Sequence, residues 1–198
     1  MAYDKFVVLK SSAYPLPIDN VDTDQLIPAR FLKATERKGF GDNLFRDWRY
    51  NNDGSPKADF VLNNPEYSGK ILVGGKNFGS GSSREHAAWA VYDFGFRCVI
   101  SSEFADIFKN NCLNIGVLPV QVSEEFAQKV FDAIEADAKA EIEVDLPEQK
   151  VTIVATGESE GFAINGYKKH NMLNGFDDID YLQSMKDEVA DFAAKRLF

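Results

Sequence analysis

Apolar and polar positions follow two different periods along this chain, and the switches between them outline its elements. Residues 5–9 form a short apolar run that reads as a strand. Tyr14-Pro15-Leu16-Pro17 follows, and its two prolines force extended, non-helical backbone. Residues 33–68 are mostly polar and turn-rich, with Gly39, Gly41, Asn51-Asn52-Asp53-Gly54, Pro56 and Pro65. Four aromatics, Phe40, Phe45, Trp48 and Tyr50, punctuate this stretch. It reads as a long excursion over about 30–67, expected to be mobile in the free chain. Ile71-Leu72-Val73 is a buried-type strand, followed by a Gly-rich turn and a helix from about Ser83. Ala87, Ala90, Val91 and Phe94 fall on one face of that helix, and Gly95 stops it.

Cys98-Val99-Ile100 is the next strand. A short helix begins near Ser102-Glu103, with Phe104, Ile107 and Phe108 as its apolar face. Residues 117–122 read as a strand in which Pro119 suggests an edge or irregular position. Ser123, with Glu124 and Glu125 in the first turn, opens a helix whose stripe is Ala127, Val130, Phe131 and Ile134. Ile142, Val144 and Leu146 alternate with acids, and Val151, Ile153 and Ala155 repeat the alternation after Pro147-Glu148-Gln149. That is a hairpin with one wet face. A last helix starts near Asp178, with Leu182, Met185, Val189 and Phe192 expected inside. The pattern predicts a mixed α/β fold in one domain over residues 1–198.

Composition narrows the function classes. The chain has 198 residues, 44% apolar and 27% charged, which is enough apolar surface to exclude wholesale disorder. Its charge of −9, from 31 acidic and 22 basic side chains, argues against nucleic acid or an anionic membrane as partner. Two cysteines and two histidines supply neither a disulfide framework nor a closed zinc site nor an iron–sulfur site, so no metal is expected on this chain. No signal peptide and no span of about 18 uncharged apolar residues is found, so a soluble, cytoplasmic protein is expected.

Two segments carry chemistry. In Gly74-Gly75-Lys76-Asn77-Phe78-Gly79-Ser80-Gly81-Ser82-Ser83-Arg84-Glu85-His86, glycines lie between a strand's carboxyl end and a helix N-terminus. Free amides and the helix dipole favour an anion there, and Arg84 adds a fork suited to carboxylate or phosphate. The dinucleotide fingerprint, the P-loop and the nucleophile elbow each fail on spacing. Ser82-Ser83-Arg84-Glu85 also fits a capping box, in which Ser82 is only a helix cap. His86 lies one turn on and reads as a packing residue or a weak Ser–His relay, while His170 reads as surface. The second segment, Asp19-Asn20-Val21-Asp22-Thr23-Asp24, reads as a cation loop or as a polar turn and helix cap; it lacks the glycine and distal glutamate of an EF-hand.

Taken together, Asp22-Thr23-Asp24 with Ile27-Pro28, the run from Gly79 to His86, and Phe104-Ala105-Asp106-Ile107-Phe108 with Asn110-Asn111-Cys112 resemble the swivelling domain of the aconitase superfamily. The resemblance covers nearly the whole chain. The length and the Gly175-Phe176-Asp177-Asp178-Ile179-Asp180 ending are similar to the small-subunit family of the isopropylmalate isomerases.

The resemblance implies a three-layer β/β/α fold. It implies a hydro-lyase reaction of leucine biosynthesis, interconverting 2- and 3-isopropylmalate by dehydration and rehydration. A large subunit would be the partner, supplying the 4Fe-4S cluster, and this chain would bind no cofactor. It implies Ser82 as the base, Asp24 as an active-site carboxylate, and Ser83 and Arg84 as binders of the di-acid's carboxylate. Phe31 and Leu32, just after Pro28, are the candidates for reading the substrate's side chain. A small subunit acting on homoaconitate or a methyl-substituted malate, and a non-catalytic binding module of the same fold, stand as alternatives.

Overall fold

The computed structural model describes residues 3–33 and 39–195. Two four-stranded sheets organise it. The first runs β2 (Ala13–Leu16), β3 (Ile71–Gly74), β4 (Cys98–Ser101) and β5 (Leu118–Gln121), all parallel and in that order. Pro15 and Pro119 fall on its two edge strands, where a missing N–H costs no ladder bond. The second runs β1 (Val8–Ser11), β6 (Ile142–Asp145), β7 (Lys150–Ile153) and β8 (Ser159–Gly161), all antiparallel.

The parallel strands are apolar on both faces, and each face feeds its own core. Ile71, Val73, Cys98, Ile100, Leu118 and Val120 point toward the antiparallel sheet. There they meet Ile142, Val144, Val151 and Ile153, together with Phe126, Val130 and Ile134 of α5 (Glu124–Ala136). Leu72 and Val99 point the other way, onto α3 (Glu85–Phe94) and α4 (Asp106–Ile115), through Ala87, Val91, Phe108 and Cys112. The result is the three-layer arrangement, sheet on sheet on helices, that the resemblance implies.

The excursion is more tightly held than its composition suggests. Phe40, Leu44 and Phe45 are buried; Phe45 stacks on Trp48 at 5.4 Å, and Trp48 meets Phe60 at 6.1 Å. The amide of Gly41 donates to Asp93 Oδ2 of α3 at 2.8 Å. Arg49, buried on the short helix α2 (Arg46–Arg49), donates to the carbonyls of Gly41 and Leu44 at 3.3 Å each. The excursion expected to be mobile is therefore packed over 40–50 and 60–63 and exposed over 51–56, and residues 34–38 of it lie outside the described residues.

Other differences have local causes. The first strand begins three residues later than expected, leaving Val7 and Val8 exposed on an edge. The Asp178 helix is broken at Met185 into α7 (Asp178–Ser184) and α8 (Lys186–Lys195). Leu182, Val189 and Phe192, expected inside, are 58–71% exposed, because among the described residues no other layer covers them. The periodicity reports an amphipathic helix; it does not report what covers the stripe. The helix α6 (Gly166–Asn174), capped by Asn165, was not legible among polar residues.

Candidate active site

Strands β2, β3 and β4 end at the same rim of the parallel sheet, and the loops after them stay side by side. Asp22 bridges Ser80, and Phe78 bridges Phe104, both in parallel sense. The Gly-rich loop is thus clamped on both flanks. On one side Gly79 N donates to Val21 O at 2.7 Å and Thr23 N to Ser80 O at 2.9 Å. On the other Phe78 N donates to Glu103 O at 2.9 Å and Ala105 N to Phe78 O at 3.0 Å. Asn20 and Asn77, both with left-handed backbone, close the near end through a 2.9 Å amide–amide bond.

The clamp brings the two candidate segments together. Asp22 caps the one-turn helix α1 (Thr23–Leu26) in a reciprocal box with Gln25. This is the polar-turn-and-cap reading of that segment; it places Asp24 outward, where it forms an ion pair with Arg84. Arg84 is largely covered, its side chain 18% exposed against 58% for Asp24, and the carboxylate fixes the guanidinium through one nitrogen of the fork.

Helix α3 begins at Glu85, with Arg84 at its N-cap and no side-chain cap. The capping-box reading of Ser82 is therefore overturned: Ser82 lies two residues before the cap. Instead its amide donates to Thr23 Oγ1 at 3.2 Å, its carbonyl accepts from the same hydroxyl at 3.0 Å, and the two hydroxyl oxygens are 3.4 Å apart. Ser82 and Ser83 are both exposed at the mouth of this turn.

Two family models match this chain, the aconitase C-terminal domain over residues 3–125 and LeuD_N over residues 128–166. A 3-isopropylmalate dehydratase small subunit from Cytophaga hutchinsonii is 63% identical, over 94% of this chain and 92% of its own length. One from Christiangramia forsetii is 58% identical, over 98% of this chain and 94% of its own. The chain belongs to the 3-isopropylmalate dehydratase small-subunit family. The crystal structure of the 3-isopropylmalate dehydratase LeuD from Methanocaldococcus jannaschii shares the fold, with a TM-score of 0.69 at 25% identity, over 93% of this chain and 98% of that one.

Within this small-subunit fold, the remaining candidates fall in distinct places. His86 does not face Ser82 through a hydrogen bond among the described contacts; its ring packs on Trp89 at 4.4 Å and on Phe40 at 5.6 Å. Phe31 ends the 3-10 turn Ala29–Phe31, and Phe31 and Leu32 are half-buried against the helix-side core. Phe31 also lines a cavity of about 520 Å³ with Arg30, Arg46, Asp47, Tyr50 and Lys57. Arg30 pairs with Asp47 there, which holds the Asp47 carboxyl below the usual carboxylate range. Among the described residues, Ser82 is not one of those that line this cavity.

The chain's own residues do not fit an iron–sulfur cluster. Cys98 and Cys112 are both fully buried in the two cores, and burial pushes both thiols up, away from the thiolate that binds metal. Among the described residues no group of three or more His, Cys, Asp and Glu could hold a metal ion.

The residue that sequence reasoning missed is Thr23. It is 2% exposed, on the buried side of α1 with Val21, Leu26 and Ile27. A polar residue at an inward position was the available signal; its partner, 59 residues away, was not.

Proposed function

We propose that this chain is the small subunit of a 3-isopropylmalate dehydratase, and that Ser82, Arg84 and Asp24 are its contribution to the active site. The reaction interconverts 2- and 3-isopropylmalate: a proton and a hydroxyl leave neighbouring carbons, and water returns with the two positions exchanged. The observation that carries this reading is the meeting of Ser82, Asp24 and Arg84 where three parallel strands end and an uncapped helix begins. The proton lies α to a carboxylate, and its removal needs a base beside cationic or dipolar support. Ser82, acting as an alkoxide, takes it and becomes an alcohol. Arg84, oriented by Asp24, and the hydroxyl of Ser83 bind the adjacent carboxylate. The large subunit holds the 4Fe-4S cluster, whose Lewis acidity eases departure of the hydroxyl. Phe31 and Leu32 read the isopropyl group. The pair of reduced, buried cysteines is in keeping with a cytoplasmic enzyme, and among the described residues no helix is long and apolar enough to cross a membrane.

The test is turnover of 2- and 3-isopropylmalate, homoaconitate and methyl malate by the anaerobically assembled enzyme. Ser82→Ala is expected to lower kcat by roughly 10²–10⁴-fold. Because Ser82 caps no helix, the variant's melting temperature is expected to stay within about 2 °C, the equivalent of about 0.5–1 kcal/mol. The isolated chain is expected to bind no iron and to turn over none of these acids. Iron in the purified chain, or near-normal turnover by Ser82→Ala, would refute the assignment.

A further inference from the structure

We propose that Thr23 is the positioning residue that sets the orientation and the basicity of Ser82, an inference that rests on the reading of Ser82 as the base. The Thr23 hydroxyl touches Ser82 three times: it accepts from the amide at 3.2 Å, donates to the carbonyl oxygen at 3.0 Å and lies 3.4 Å from Oγ. A hydroxyl has one proton and two lone pairs. One lone pair is taken by the Ser82 amide. The single proton therefore has two acceptors within reach, both on Ser82.

Which acceptor wins depends on the state of Ser82. While Ser82 is an alcohol, the carbonyl is the closer partner and takes the bond. Once Oγ has given its proton to solvent, the alkoxide is the stronger acceptor, because charge-assisted bonds are shorter and about twice as strong. Rotation about the Thr23 C–O bond alone then turns the proton from the carbonyl to Oγ. No heavy atom moves. When Ser82 takes the substrate's proton and becomes an alcohol again, the Thr23 proton swings back. Thr23 gives up no proton at any point.

The position of that hydroxyl is over-determined. Thr23 N donates to Ser80 O at 2.9 Å, the Asp22–Gln25 box anchors the turn, and a β-branched side chain has few χ1 choices. Burial of Thr23 in a low-dielectric setting strengthens the donor it offers.

The experiment measures kcat and KM for 3-isopropylmalate against pH in the assembled enzyme, for Thr23→Val, Thr23→Ser and Ser82→Ala beside the unaltered chain, with the melting temperature of each. Thr23→Val keeps the volume and removes the donor. It is expected to lower kcat about tenfold to a hundredfold, leave KM within about threefold, and move the ascending, low-pH limb of the profile, which reports ionisation of the base, up by about one pH unit. The sign follows because loss of a donor to the alkoxide raises the pH at which Ser82 ionises. Thr23→Ser restores the hydroxyl and is expected to restore the limb. A limb that stays in place in Thr23→Val, or Thr23→Ser as impaired as Thr23→Val, overturns the proposal. If Thr23→Val does not assemble with the large subunit, Thr23→Ala is measured in the same way, and an unmoved limb there also overturns it. Ser82→Ala separates the two readings. Full turnover in that variant removes the base assignment and this inference together; loss of turnover in Ser82→Ala with an unmoved limb in Thr23→Val removes this inference alone.

Discussion

Gly79 decides whether the site loop can exist at all. Its φ is +79°, a conformation L side chains rarely adopt, and a Cβ built there would stand 2.2 Å from the Phe108 ring. Its amide meanwhile holds Val21 O at 2.7 Å, so the backbone cannot swing away without opening the clamp to the Asp24 segment. Gly79→Ala adds left-handed strain of about 1–2 kcal/mol and an overpacking cost of about 1–3 kcal/mol. For a chain of this length a loss of about 3 kcal/mol lowers the melting temperature by roughly 6–12 °C. Thermal unfolding of the free chain checks this, and a shift under about 2 °C would show that the loop relaxes around a methyl group. Ser82 shows why such a site is only partly legible. Its sequence context satisfies a local rule, the capping box, and the rule is wrong because a hydrogen-bonding partner 59 residues away takes the residue instead. The Arg84–Asp24 pair is likewise a contact of residues 60 apart in sequence. Residue types and glycine spacing suggest an anion site; the partners of these side chains were not legible, since no local period encodes them.

At the scale of elements, legibility follows the strength of the local signal. The 141–155 hairpin and the Ser123 helix appear where alternation and capping chemistry put them. Ser123 Oγ accepts from Phe126 N at 3.1 Å, as an N-cap should. The C-terminal stripe was equally periodic, yet α8 has no buried residue at all. A ten-residue helix without packing is marginal in water, because nucleation costs more than so few bonds return. The element before it is better anchored: Asp178 accepts from Tyr167 at 2.7 Å and pairs with Lys168 at 3.0 Å, both on α6. Hydrogen exchange on the free chain is therefore expected to be fastest over residues 186–195, slower over α7, and slowest in α5 and the parallel strands. Amide protection over 186–195 equal to that of α5 would contradict this.

At the scale of the whole molecule, the 30–67 excursion packs against α3, the helix that Arg84 starts. Its inner part is fixed on α3 through Phe40, Gly41 and Arg49, whereas residues 51–56 are exposed and rim the cavity that Phe31 and Arg30 line. A substrate divided between two chains has to be admitted and then shielded from water, which calls for a movable rim on a fixed base. Mobility is thus proposed for residues 30–33 and 50–58 of the excursion, and 40–49 are expected to be protected already in the free chain. On assembly with the large subunit, new protection should concentrate in 30–33 and 50–58. Specificity should follow the same residues. One methylene in an apolar pocket is worth only about 1–3 kcal/mol, so the enzyme is expected to accept smaller alkyl malates at a reduced rate. Exchanging residues 30–35 for those of a homoaconitase-type small subunit should change the ratio of kcat/KM between 3-isopropylmalate and homoaconitate by about tenfold or more. Both measurements are made on the assembled enzyme. An unchanged ratio together with uniform protection in the two states would show that Phe31 and Leu32 only pack against the helix-side core and that the substrate's side chain is read elsewhere.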